Sequence, residues 1–74
     1  MFVELKSCDH HNGENITVNM LFFVYDIARV SEHPADRSRS LLRTRKGEHF
    51  LLAERFDDVA RKIKQASKWG GNNG

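Results

Sequence analysis

The chain has 74 residues, a formal net charge of +2 and 39% hydrophobic residues, which suits one small domain whose limited core would gain from self-association. No apolar run approaches the roughly 18 residues of a membrane span, and the first residues lack a signal-peptide pattern. The single cysteine, Cys8, excludes an internal disulfide and fits a reducing compartment. We therefore expect a cytoplasmic protein without a membrane span.

The first twenty residues predict a β-hairpin. In residues 2–7, Val3 and Leu5 alternate with charged side chains, which is the pattern of a half-buried strand. Residues 15–20 alternate in the same way. Asn12-Gly13 lies between these two segments, and both residues tolerate the positive φ angles of a tight turn.

Residues 21–30 are rich in aromatic and β-branched side chains and predict a third strand, with a corner in residues 19–22 as an open alternative. Because the apolar residues do not alternate, we expect both faces to be partly covered, one of them by a second subunit. Residues 31–39 contain the only proline, Pro34, and predict a surface loop.

Residues 40–53 predict a second hairpin, because apolar runs at Leu41-Leu42 and at residues 50–52 flank Lys46-Gly47. A helix is predicted from Phe56, since Val59 and Ile63 follow it at helical spacing, with acids early and bases late. The expected fold is α+β, a small antiparallel β-meander of about five strands, barrel-like, covered by one C-terminal helix. We expect one domain over residues 1–68 and a disordered Gly/Asn tail over residues 69–74.

A run of arginines is the strongest binding candidate. In a continuous strand, the odd-numbered positions would share one face with Leu41, and a lysine follows at the hairpin tip. The residues are Arg37, Arg39, Arg43, Arg45 and Lys46. Guanidinium groups hold phosphates, and Phe22, Phe23 or Tyr25 would supply base stacking if exposed. The predicted partner is nucleic acid or an acidic protein surface, and the alternative is a solvated face that protects a sheet edge.

The remaining cysteine, histidine and aspartate residues do not form a recognisable metal site or catalytic site. Cys8, His10 and His11 are good zinc ligands, but a tetrahedral site needs four converging groups and only one cluster is visible. Cys8 has no apparent orienting group for nucleophilic catalysis. Asp57 and Asp58 are better explained by the helix dipole than by acid–base catalysis. We expect no enzymatic activity, no metal, no cofactor and no small-molecule substrate.

The order of strands, turns and helix resembles the FlbD family of small flagellar and swarming motility proteins. The resembling positions are Val3, Leu5, Asn12-Gly13, Val18-Asn19, Leu42, Gly47, Phe50-Leu51-Leu52, Asp57-Asp58-Val59 and Ile63. Two features depart from the family: Arg55 stands where a capping serine is typical, and the loop of residues 31–39 is longer. The resemblance implies a non-enzymatic cytoplasmic protein that acts through protein–protein contacts and has no catalytic residues.

Our first interpretation is a small regulatory binding protein, bacterial or phage-encoded, that assembles with itself. It would use the arginine-rich strand and loop of residues 37–46 against an anionic partner. A motility accessory function of the FlbD type is the alternative.

Overall fold

The computed structural model describes residues 1–71, and side chains through residue 67. Its elements are β1 (Phe2–His11), β2 (Glu14–Phe23), β3 (Ile27–Glu32), β4 (Ser40–Thr44), β5 (His49–Leu52) and α1 (Phe56–Gly71). A single turn of 3-10 helix at Val24–Asp26 joins β2 to β3. The prediction of five antiparallel strands followed by one C-terminal helix is confirmed.

The strands form one antiparallel sheet in the order β2-β1-β5-β4-β3. Because β2 and β3 lie at opposite edges without pairing, the sheet is open, and the prediction of a barrel-like closure is wrong. The reason lies in the first hairpin. Its strands pair with each other at ten positions, whereas β1 pairs with β5 only at Ser7 and Leu52. Residues 8–17, here called the projecting half of the first hairpin, therefore extend beyond the body of the sheet and do not curve round to close it.

The first hairpin turns where the sequence predicted, at Asn12 (φ 51°) and Gly13 (φ 78°). Its strands are longer than the predicted segments 2–7 and 15–20, because residues 8–11, 14 and 21–23 are also paired. Residues 8–11 are exposed or only half-buried and are held by backbone pairing, so they show no burial pattern in the sequence. β2 runs straight through residues 19–22 without a corner. The third strand is correspondingly displaced, to residues 27–32 instead of 21–30.

The second hairpin and the helix also lie where the sequence predicted them. Gly47 has a φ of 92° between β4 and β5, and α1 begins at Phe56. The helix continues to Gly71, so its bounds include the first three residues of the predicted tail. The rest of that tail, residues 72–74, lies outside the described residues.

The core lies between the sheet and α1. Its fully or nearly buried apolar side chains come from β1, β2, β4, β5 and the helix: Val3, Leu5, Phe22, Leu42, Leu52 and Val59. Glu54 links β1 to α1, since its carboxylate accepts hydrogen bonds from the Lys6 N–H (2.7 Å) and from Lys62 Nζ (2.5 Å). The helix thus covers one face of the sheet, here called the inner face, and leaves the opposite outer face open.

Candidate functional site

Strand β4 shows how the two faces are divided. Ser40, Leu42 and Thr44 are buried on the inner face, and Leu41 and Arg43 are exposed on the outer face. The inner hydroxyls are satisfied within the fold, since Ser40 Oγ donates to the carbonyl of Glu54 at 2.9 Å. Any partner of this part of the sheet must therefore meet the outer face.

Three basic side chains lie in one row across β3, β4 and β5. Arg29 is directly opposite Arg43, and Arg43 is directly opposite His49. Opposite side chains on one face of an antiparallel pair have Cβ atoms about 4.5–5.5 Å apart. This spacing brings the two arginines close enough to act on one anionic group.

A second row of uncharged residues runs beside the basic row: Ser31, Leu41 and Leu51 occupy successive register positions on the same face. The two rows border a depression of 330 Å³, which we call the outer groove. Its lining residues are Arg29, Ser31, Leu41, Leu42, Arg43, His49, Phe50 and Leu51. The outer groove therefore combines a cationic side with an apolar side.

The positive charge of the outer groove is not neutralised within residues 1–67. The ion pairs described there join Arg39 to Asp36, Arg61 to Asp58 and Lys62 to Glu54. None of them involves Arg29 or Arg43. Like charges directly opposite each other destabilise a sheet, so the row of arginines carries an unrelieved repulsion that an anion would remove.

The predicted arginine set is divided among three environments. Only Arg43 lies on β4 and shares the outer face with Leu41, because the strand spans residues 40–44. Arg37 and Arg39 precede the strand in the loop, and Arg45 and Lys46 follow it in the turn. The prediction that a continuous strand would align the arginines is therefore wrong for Arg37, Arg39 and Arg45, whereas Lys46 lies in the hairpin turn as predicted.

Asp36 organises the loop before β4 and binds one of these arginines. Its carboxylate accepts hydrogen bonds from Ser38 Oγ (2.6 Å) and from the Ser38 N–H (2.9 Å), and it lies 3.4 Å from Arg39 Nε. These Ser38 hydrogen bonds, aided by the positive charge of Arg39, lower the pKa of Asp36 below its usual range. Arg39 is thus paired within the loop, whereas Arg43 is open to a ligand.

Arg29 and His49 belong to the outer groove but were missed by sequence reasoning. The sequence does carry a signal for His49, since this residue begins the second arm of the hairpin that Lys46-Gly47 predicts. Arg29 had none. Its position opposite Arg43 depends on a register shift between Ile27 and Arg29 and on pairing across the loop of residues 33–39, neither of which a sequence pattern specifies.

Exposed aromatic rings form a second feature of the outer face. Phe23 packs against Phe2 (centroids 5.3 Å apart) and against Tyr25 (5.5 Å), and Phe2 and Tyr25 are 61% and 60% exposed. Phe22, in contrast, is buried in the core. The carbonyl of Asp26, next to Tyr25, accepts a hydrogen bond of 2.7 Å from the Arg45 N–H. This aromatic cluster therefore lies close to the basic turn after β4.

The run of Cys8, His10 and His11 lies on the projecting half of the first hairpin. Cys8 is half-buried, and His10 and His11 are exposed, with His10 Nδ1 lying 3.2 Å from Asn15 Oδ1. In the part of the chain that the structure describes, no three His, Cys, Asp or Glu side chains are arranged to hold a metal ion. Nor does any helix of that part have the length and apolarity needed to cross a membrane.

Comparison of this chain with protein-family models, with curated proteins and with solved structures finds no match. The resemblance to the FlbD family therefore depends on the residues quoted above alone.

Proposed function

We propose that this chain is a small binding protein that holds single-stranded nucleic acid on the outer face of its sheet. The observation that carries the proposal is the placement of Arg29 directly opposite Arg43, without an acidic partner among residues 1–67, on a face that also exposes an aromatic cluster. In this proposal the protein acts by binding and not by catalysis, and its place is the cytoplasm, a reducing compartment with which its lone cysteine agrees.

The arginine row supports phosphate binding. A guanidinium group presents a planar fork of donors that matches two phosphate oxygens, and two arginines occupy opposite register positions here. A phosphate placed between Arg29 and Arg43 neutralises both and removes their mutual repulsion. Arg45 and Lys46 lie beyond the end of β4 and extend the positive charge along the proposed path of the bound nucleic acid.

The aromatic cluster supports single-stranded over double-stranded nucleic acid. Bases of a single strand are free to stack on side-chain rings, which contributes about 1–3 kcal/mol per base. In a duplex the bases already stack on one another. Tyr25 and Arg29 are separated by four positions along the chain, which span at most about 14 Å when extended. A single strand of nucleic acid can therefore reach both the rings and the arginines.

The test is fluorescence anisotropy with short labelled RNA, single-stranded DNA and duplex DNA across a salt series. The wild type is expected to bind single strands with an affinity that falls steeply as salt rises. The double variant Arg29→Ala/Arg43→Ala should bind more weakly, with the salt slope reduced by about 0.7, since the two arginines share one phosphate and each neutralised phosphate contributes about 0.7 for single strands.

The matched control is Arg55→Ala/Arg61→Ala, which removes the same charge from exposed positions beside or on α1. It should retain most of the affinity and the slope. Equal losses in both double variants would mean that only net charge matters, and absence of binding at low salt would overturn the nucleic-acid proposal.

An acidic protein surface is the second candidate, and it corresponds to the protein–protein function that the FlbD resemblance implies. The observation that favours it is the apolar side of the outer groove, where Leu41 is 38% exposed beside Arg43. Protein partners use such contacts, whereas phosphates do not. A partner lost on Leu41→Ser but only mildly sensitive to salt would identify this second function.

A further inference from the structure

We propose that β2 pairs edge to edge with β2 of a second copy of this chain, which gives a two-fold dimer with one continuous sheet. The proposal does not depend on what the outer groove binds, because the groove lies near the opposite edge of the sheet, on β3, β4 and β5. It depends on the backbone, the side chains and the charge of β2.

The backbone of β2 has one free side. Within residues 1–71, β1 is the strand that pairs with β2, and no other element packs extensively against it. The Val24 N–H donates to the Met1 carbonyl at 3.0 Å, which continues the β1–β2 ladder. Hydrogen-bonded pairs alternate along such a ladder. Even-numbered residues of β2 therefore bond to β1, and the N–H and C=O groups of residues 15, 17, 19, 21 and 23 point outward.

The two edges of the sheet differ in how they are protected. β3 has six residues, carries the charges of Arg29 and Glu32, and contains an irregularity between Ile27 and Arg29. Short length, charge and bulges are the devices by which edge strands avoid pairing with other chains. β2 has ten residues with no proline, and its one charged residue, Glu14, stands at the end next to the turn. The edge at β2 is thus long, regular and almost uncharged.

This absence of charge is what selects a second copy as the occupant. An antiparallel pair centred on Asn19 places Asn19 opposite itself, Thr17 opposite Leu21, and Asn15 opposite Phe23, so no like charges meet. Leu21, now 67% exposed, gains a neighbour on the outer face. A foreign acidic or basic strand would find no complementary charge along β2.

Self-pairing also compensates for the small core. Within residues 1–67, six apolar side chains are buried, and a domain of this size is marginal without further burial. Edge pairing adds backbone hydrogen bonds along β2 and covers part of its apolar side chains. The aromatic cluster stays on the outer face, and each end of the enlarged sheet carries one outer groove.

The first experiment is sedimentation velocity on the wild type over a concentration series, followed by Asn19→Lys and Asn19→Asp. The wild type should be a dimer that dissociates on dilution. Each variant alone should shift to monomer, because like charges meet at the two-fold axis. An equimolar mixture of the two should restore the dimer, which also shows that both variants fold.

Ala28→Lys and Ala28→Asp are the matched controls, since Ala28 is exposed on the other edge strand. Both should remain dimeric. A wild type that is monomeric at every concentration, or a dimer that survives Asn19→Lys but is lost with Ala28→Lys, would overturn the proposal.

Amide hydrogen exchange gives a readout without any substitution. In the monomer, the amides of Thr17, Asn19 and Leu21 point away from β1 and should exchange quickly, whereas those of Val18 and Met20 should be protected. Protection of the odd-numbered amides should rise with protein concentration as the dimer forms. Unchanged exchange across the concentration range would contradict pairing through β2, as would protection gained only when a different protein is added.

Discussion

The two hairpins of this protein share a turn chemistry but differ in what holds them. The second hairpin, β4–β5, lies inside the sheet and contributes Leu42 and Leu52 to the core. The first hairpin, β1–β2, joins the body of the sheet only outside residues 8–17. Its projecting half, residues 8–17, is held mainly by the hydrogen bonds between β1 and β2. One chain can therefore build one hairpin by burial and extend another by backbone pairing alone.

Truncating one apolar side chain in each hairpin should give the largest difference in stability between them. Leu42→Ala, at a site that is 1% exposed, should lower the free energy of unfolding by about 2–5 kcal/mol, because it removes buried methyl groups and leaves a cavity. Ile16→Ala in the projecting half, where Ile16 is 37% exposed, should change it by no more than about 0.5 kcal/mol. Urea denaturation followed by circular dichroism measures both, and equal losses would contradict the difference between the hairpins.

The turn glycines provide the next largest effect. Gly47 and Gly13 both have positive φ angles (92° and 78°), and a Cβ at either position would meet nothing within 4 Å. Replacement by alanine therefore costs backbone strain alone, about 1–2 kcal/mol. For Gly47→Ala this cost should appear as a lower free energy of global unfolding.

Gly13→Ala should act mainly through local opening. It should speed hydrogen exchange in residues 8–17 while global stability changes less, because the projecting half contributes little burial. A loss of global stability equal to that of Gly47→Ala would show that the projecting half folds as one unit with the body.

The smallest expected effect concerns the loop that leads into the second hairpin. Hydrogen bonds from Ser38 lower the pKa of Asp36 in the folded state, so the ionised carboxylate favours folding above its usual pKa. This contribution is lost as the pH falls through the lowered folded-state pKa. In an NMR titration, Ser38→Ala should raise the Asp36 pKa toward its usual range. An unchanged pKa would mean that the Ser38 hydroxyl does not bind the Asp36 carboxylate in solution.

Sequence reasoning succeeded where burial or glycine conformation leaves a local pattern. Asn12-Gly13, Gly47 and the apolar stripe from Phe56 each lay where the structure places a turn or a helix. It failed at residues 8–11, where pairing without burial leaves no period, and at the third strand, whose start depends on the 3-10 turn after Phe23.

The candidate site was less predictable than the fold, because it depends on register between distant segments. Arg43 could be placed on an outer face from alternation within β4. Its neighbour Arg29 comes from a strand separated from β4 by the loop of residues 33–39 and preceded by a register shift. No local pattern in the sequence encodes that contact.

The central position of β1 has a consequence for the order of folding. β1 pairs with β2, which follows it directly in the chain, but also with β5, some forty residues later. During synthesis the first hairpin can form early, whereas the sheet cannot assemble until β5 has been made. Glu54, which bonds to the Lys6 N–H, can lock β1 in place only after that step. Joining the two hairpins therefore makes the strand pairing of greatest sequence separation in the sheet, and such contacts slow folding; we expect this joining step to limit the folding rate.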